Sequence, residues 1–308
     1  MEHILSLSYG KDSLACLGAI EQLGWPLDRI VHAEVWATDT IPADLPPMVE
    51  FKKRADEIIR ERWGIEVEHV CAMTTYEDLF YKIPENRKVK NTGFEGKVRG
   101  FPFQKGAWCQ RDLKVSVLDK PKRKKNFQDD VFYKIRKSGK NEGTFPGWPA
   151  VGKPECNSAL KRPVFSKTGN GCIQYLGIAA DEPARFGNLT DTKKSPLVEA
   201  GWDEAHCRKW CEENGLLSPI YTTANRGGCW FCHNQGVGQL RLLRRDYPDL
   251  WALMLKWDKD SPVTFHADGH TVHDFDRRFQ LEDEGFIKPG ERFRWDMLDS
   301  ELLNYRMF

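Results

Sequence analysis

Residues 3–17, HILSLSYGKDSLACL, constrain the fold more than any other stretch of the chain. Ile4, Leu5 and Leu7 make a short apolar run of the kind a buried strand needs. The run stops at Ser8-Tyr9-Gly10-Lys11-Asp12-Ser13, after which Leu14, Ala15, Leu17 and Ile20 recur at helical spacing. Strand, tight polar loop and helix in that order gather backbone N–H groups and a helix N-terminus around one concavity. The N–H groups left over by the helix and its dipole both favour an anion there, so phosphate is the expected ligand. Gly10 permits close backbone approach, Lys11 adds a point charge, and Ser8 and Ser13 offer hydroxyls. The alternative is an ordinary helix capped by Asp12 or Ser13. The common nucleotide loop, G-x-x-x-x-G-K-[ST], is absent here.

Strand and helix patterns then alternate. Residues 29–36 read as a second strand, ending in Ala37-Thr38-Asp39-Thr40, where Asp39 is a candidate contact for an adenosine or a helix-approach cap. Pro46-Pro47 opens a helix with Met48, Phe51, Ala55, Ile58 and Ile59 on its apolar face, and residues 65–70 read as a third strand. This spacing predicts an α/β fold with a doubly wound, mostly parallel sheet. Residues 173–180 (IQYLGIAA) read as a further buried strand that ends in Asp181-Glu182-Pro183-Ala184-Arg185. The two carboxylates suit a Mg²⁺ ion bridging phosphate oxygens, and Arg185 suits a bidentate grip on an anion. A local surface ion pair is the other reading. An amphipathic helix over 203–214 follows, with Asp203 as its cap and with Cys207 and Cys211 on one face, read as core packing.

Residues 76–170 interrupt the alternation and are expected to be an insertion within a nucleotide-binding domain spanning 1–226. A cysteine knuckle and a helical region fill 227–308. Between residues 82 and 140 the sequence holds 18 Lys+Arg against 6 Asp+Glu, although the whole chain is +1. Such a block can track a nucleic acid, or it can be a solvated insertion. Nine cysteines are many for a reducing compartment, so some are expected to be ligands. The C-x-x-C at Cys229 and Cys232 follows two glycines and suits convergence of two thiolates on one metal; a redox dithiol fits its position less well. Cys109 and Cys156, each in a C-x-x-x-L-K setting, are the candidates for the remaining two ligands, with Cys172, Cys207, Cys211 and His233 in reserve, for zinc or for a [4Fe–4S] cluster. His266, His270 and His273 read as hydrogen-bonded loop histidines, and Arg277, Arg278, Arg292 and Arg294 as available for anions. No apolar run reaches membrane-spanning length, and Lys11 and Asp12 interrupt any signal-peptide pattern, so a soluble, cytoplasmic protein is expected. Self-association is left open.

The loop resembles the S-G-G-x-D-S pyrophosphate loop of the PP-loop ATP pyrophosphatases, with Tyr9 where the first glycine usually stands. SYGKDS, ATDT, LGIAADEPAR, a proline-leucine segment, SPIY (218–221), RGGCWFC and YPDLW occur in an order similar to the phosphoadenosine phosphosulfate (PAPS) reductase family. The likeness is greatest to its phage and mobile-element members and to sulfur-transfer relatives in DNA phosphorothioation. The resemblance implies an adenine nucleotide α-hydrolase-like fold, with nucleotide phosphates on Ser8 to Ser13 and a second nucleotide-side motif carried by Asp181, Glu182 and Arg185. It also moves the metal expectation, undecided between zinc and iron–sulfur on the residues alone, towards [4Fe–4S]. The family's reductases attack sulfur with a cysteine near the C-terminus, whereas no cysteine follows Cys232. The expected chemistry is therefore ATP-dependent adenylation, with Lys11, Asp12, Asp181 and Arg185 as the catalytic residues. Sulfur transfer would follow, onto a nucleic acid and from a sulfur-donor protein. Sulfonucleotide reduction and a nucleotide-sensing module with structural zinc are the alternatives.

Overall fold

β1 (His3–Leu7) buries Ile4 and Leu5 completely, as its apolar run requires. The computed structural model describes residues 1–83, 96–102, 107–119, 171–222, 228–291, 293 and 295. After β1 come α1 (Lys11–Leu23), β2 (Arg29–Glu34), α2 (Pro46–Trp63), β3 (Val67–Cys71) and α3 (Tyr76–Phe80). A helical run follows, in which a π-helical turn (Arg111–Val115) joins α4 (Trp108–Gln110) to α5 (Ser116–Asp119). Next are β4 (Ile173–Tyr175), a 3₁₀ turn (Pro183–Asn188), β5 (Lys193–Lys194), α6 (Pro196–Ala200), α7 (Glu204–Glu213) and a second 3₁₀ turn (Pro219–Thr222). The chain continues with α8 (Val237–Asp246), α9 (Pro248–Asp260) and α10 (Val272–Asp283).

The five strands pair in parallel, in the order β3-β2-β1-β4-β5. The chain steps outward from β1 to β2 and β3, then returns to the other side of β1 as β4. Strand order thus reverses between β1 and β4, and a doubly wound sheet opens a crevice at its carboxyl edge at such a point. The architecture is α/β and Rossmann-like. Among the described residues, no helix is long and apolar enough to cross a membrane.

By internal contacts the chain divides into two units, 1–77 with 108–229, and 78–107 with 230–308. Residues 78–107, expected within the insertion, thus group with the C-terminal residues. In the first unit α1 buries Leu14, Cys16, Leu17 and Ile20 with Leu5 and Leu7 of β1, Phe51, Ala55 and Ile59 of α2, and Cys207 and Cys211 of α7. Burying each of the larger side chains contributes roughly 1.5–3 kcal/mol, and the α7 cysteines serve here as packing. Asp203 caps α7 by accepting from His206 N at 2.7 Å. The second unit has an aromatic interior, with Trp230 stacked on Trp257 at 5.6 Å and Phe80 edge-on to Phe101.

Two strands are shorter than their hydrophobic runs. β2 ends at Glu34 because residues 37–41 close a turn, in which Ala37 N donates to Ile41 O and Thr38 Oγ1 accepts from Ile41 N. Of residues 173–180 only the first three join the ladder. Beyond them Ile178 N donates to Leu176 O, and Ala180 N to Trp202 O. Gly177 lies so close to α1 that a Cβ there would be 2.7 Å from Ser13 N.

Candidate functional site

The loop between β1 and α1 is knitted by its own serines. Ser13 Oγ donates to Gly10 O at 3.0 Å, because a carbonyl can only accept. Ser13 Oγ therefore accepts from Ser8 N at 3.1 Å and from Ser8 Oγ at 2.9 Å. Gly10, not Asp12 or Ser13, stands at the cap position of α1, and no side chain caps it. Lys11 N instead donates to the hydroxyl of Tyr221, from the SPIY segment, at 3.0 Å. A neutral oxygen thus accepts from this loop N–H.

Tyr9 holds a backbone conformation usually left to glycine. Its φ is +56°, in the left-handed region, where a non-glycine residue costs roughly 1–2 kcal/mol. Its side chain is fully buried. The hydroxyl donates to Asp56 Oδ1 and lies 3.0 Å from His69 Nε2. The ring meets His32 edge-on at 4.7 Å, and Lys52 Nζ lies 5.3 Å from its centre. Burial, then Asp56, pushes the phenol well above its ordinary pKa. A buried anchor therefore holds the strained backbone.

Behind Tyr9 lies a chain of buried polar groups. His32 Nδ1 donates to Leu7 O at 2.8 Å, so its Nε2 accepts from Lys52 Nζ at 2.8 Å. Lys52 also donates to Glu34 Oε1 at 3.1 Å and to Asp44 Oδ2 at 2.5 Å. His69 faces Glu34 Oε2 through Nδ1 at 3.2 Å and Asp56 Oδ2 through Nε2 at 2.9 Å. Burial works to lower His69, yet Asp56 and Glu34 hold it up at about 9. Burial followed by Lys52 lowers His32. For Lys52, Asp44 and Glu34 outweigh the desolvation and raise it.

On the other flank, Lys11 Nζ bonds Asp12 Oδ1 at 2.8 Å and Glu204 Oε2 at 3.0 Å. Burial opposes the charge on Lys11, but these two carboxylates raise its pKa. Burial raises Asp12 from its ordinary value despite Lys11. Asp181 Oδ1 accepts from Glu204 N at 3.1 Å, at the start of α7. Glu182 accepts from Ala179 N at 3.1 Å and from Arg185 at 2.8 and 2.9 Å. Arg185 is half exposed and occupied with Glu182. The fold thus brings Ser8 to Ser13, Asp181 and Glu182 to the two sides of the strand switch point. Asp39 stands exposed in the turn after β2, where Thr38 makes the local backbone bonds.

Cys156, the basic run 120–125, Arg292 and Arg294 lie outside the described residues. Cys109 sits in α4, and Cys109, Cys229 and Cys232 are each partly buried. Among the described residues, the group of three or more histidine, cysteine or acidic side chains with ligand atoms within 4.8 Å of one another is His32, Glu34 and His69. The sequence reading passed over it. The signal was the H-x-E spacing on β2, which puts both side chains on one face. Arg278 is not available for anions: it is buried, bonds Glu282 and stacks over Phe293. The loop histidines are hydrogen-bonded or stacked: His266 to Gln235 O at 3.2 Å, His273 to Asp258 at 2.5 Å, and His270 on Trp295. In comparisons with protein-family models, curated proteins and solved structures, no match to this chain was found.

Proposed function

We propose that the chain is an adenine-nucleotide enzyme of the PP-loop, α-hydrolase-like class, with the nucleotide phosphates on residues 8–13. One observation carries this reading. Where strand order reverses, the N–H-rich loop after β1 faces the carboxylate segment after β4, packed so closely that Gly177 has no room for a Cβ. That is where a doubly wound sheet takes its ligand.

In this reading ATP enters with its β- and γ-phosphates against the loop. A phosphate oxygen takes the Lys11 N–H from Tyr221, and Lys11 Nζ exchanges its half-exposed partner Glu204 for the phosphates at little cost. A substrate oxygen attacks the α-phosphorus, and pyrophosphate leaves carrying charge that the loop N–H groups and Lys11 stabilise. Preorganised donors of this kind supply much of a rate enhancement. Asp12, Asp181 and Glu182 are oxygen donors of the kind Mg²⁺ takes, but among the described residues they do not form a cluster with ligand atoms within 4.8 Å of one another, so they would hold only part of its shell. When bound, Mg²⁺ would supply further neutralisation of the phosphate charge. Arg185, released from Glu182, is the reserve cation.

Sulfur transfer to the adenylated substrate, with a nucleic acid as acceptor, is the extension that the sequence resemblance supports. Of the four cysteines expected to hold a [4Fe–4S] cluster or zinc, Cys156 lies outside the described residues.

Calorimetry with MgATP and AMP tests the reading. MgATP should bind more tightly than AMP, since the loop grips the distal phosphates. Lys11→Ala should weaken MgATP at least tenfold, about 1.4 kcal/mol, and leave AMP nearly unchanged. Equal MgATP affinity for the wild-type and variant proteins would contradict it.

A further inference from the structure

We propose that His32, Glu34 and His69 form a site for a divalent transition-metal ion of the zinc class, in which the ion displaces Lys52 from His32. The site is separate from the nucleotide reading and does not rest on it.

The constellation is built by the sheet. His32 on β2 and His69 on β3 are register partners in the parallel ladder, and Glu34 lies two residues beyond His32 on the same face. Glu34 Oε2 is 3.1 Å from His32 Nε2 and 3.2 Å from His69 Nδ1. Bonds of about 2.05 Å at tetrahedral angles put neighbouring ligand atoms roughly 3.3 Å apart, so Glu34 Oε2 already stands near that separation from both imidazoles, and all three ligand atoms lie within 4.8 Å of one another. Both imidazoles are oriented from behind. His32 uses its other nitrogen to donate to Leu7 O, and His69 uses its own on Asp56. Metal-bound histidines almost always have such an outer acceptor, which sets the tautomer and the ring angle. Two imidazoles and one carboxylate are a donor set for zinc-class ions.

Lys52 shows that the place holds a cation. Its ammonium contacts His32 Nε2 at 2.8 Å, Glu34 at 3.1 and 3.3 Å, and Asp44 at 2.5 Å. An ion on the Oε2 side of Glu34 takes His32 from it and leaves Lys52 on Glu34 Oε1 and Asp44. It also replaces the proton that His69 Nδ1 presents to Glu34, so one proton is released as one ion binds. All three ligands are buried, and the ion would tie β2 to β3 and, through His69 and Asp56, to Tyr9.

The test is zinc K-edge absorption fine structure on the full chain, stripped with a chelator, loaded with Zn²⁺ and dialysed. The proposal expects one retained zinc with nitrogen and oxygen neighbours at about 2.0–2.1 Å. That shell should persist in the Cys229→Ser, Cys232→Ser variant and disappear in His69→Ala. Retained zinc with a purely sulfur shell near 2.3 Å, a nitrogen shell lost with the two cysteines, or no retained zinc would each overturn it. Lys52→Met, which removes the competitor, should tighten zinc binding at least tenfold; unchanged or weaker binding by the folded variant overturns the displacement of Lys52. If either core variant does not fold, the wild-type and double-serine spectra still decide the site.

Discussion

Tyr9 holds a backbone conformation usually left to glycine, and its side chain accounts for that. The partners that anchor it, Asp56 and His69, stand 47 and 60 residues away. The sequence therefore shows the departure from the glycine pattern but not its compensation, because local patterning carries no long-range pairing. Tyr9→Phe keeps the packing and removes the hydroxyl from Asp56. A hydrogen bond to a charged group contributes about 1.5–3 kcal/mol, and the denaturant midpoint should fall by that equivalent. Tyr9→Gly relieves roughly 1–2 kcal/mol of backbone strain but forfeits a buried aromatic ring worth about 3–5 kcal/mol. It should be net destabilising, and a Tyr9→Gly protein more stable than wild type would refute the anchor. Among the thiols, burial raises Cys16, Cys207 and Cys211, with Cys207 pushed up to about 12. Only thiolate is nucleophilic. At pH 8, then, iodoacetamide should spare these three in the native protein and modify them in denaturant, read by peptide mass mapping.

At the scale of elements, β1, α1, α2 and α7 were legible because each carries a periodic apolar face and a stop signal: Gly24 and Gly64 take positive φ at the ends of α1 and α2. β4 was not. Its apolar run continues to residue 180, but after Leu176, whose N–H still donates to Lys194 O of β5, Ile178 N turns back to Leu176 O and Ala180 N donates to Trp202 O, before α7. An apolar run records burial, and a buried chain need not be a strand. Gly177 marks the place. A Cβ there would press on the backbone of Asp12 and Ser13, which cannot move aside without shifting the start of α1. Gly177→Ala should cost about 1–3 kcal/mol, as overpacking does, and should weaken MgATP binding along with stability. A variant with wild-type stability and affinity would show that the close approach does not shape the loop.

For the whole molecule, strand–helix alternation foretold an α/β parallel sheet, and the order β3-β2-β1-β4-β5 places its switch point beside residues 8–13. The His32–Glu34–His69 constellation was hidden because it forms only when β2 and β3 align in register. The grouping of residues 78–107 with residues 230–308 was not legible for the same reason, since it joins stretches far apart in the chain. The central claim is that the loop at the switch point receives nucleotide phosphates. Hydrogen–deuterium exchange of the full chain, with and without MgATP, tests it most directly. The account predicts that the nucleotide slows exchange in peptides covering 8–13 and 176–182, and that AMP leaves the first of these nearly unchanged. Exchange in residues 8–13 unaltered by saturating MgATP would contradict it.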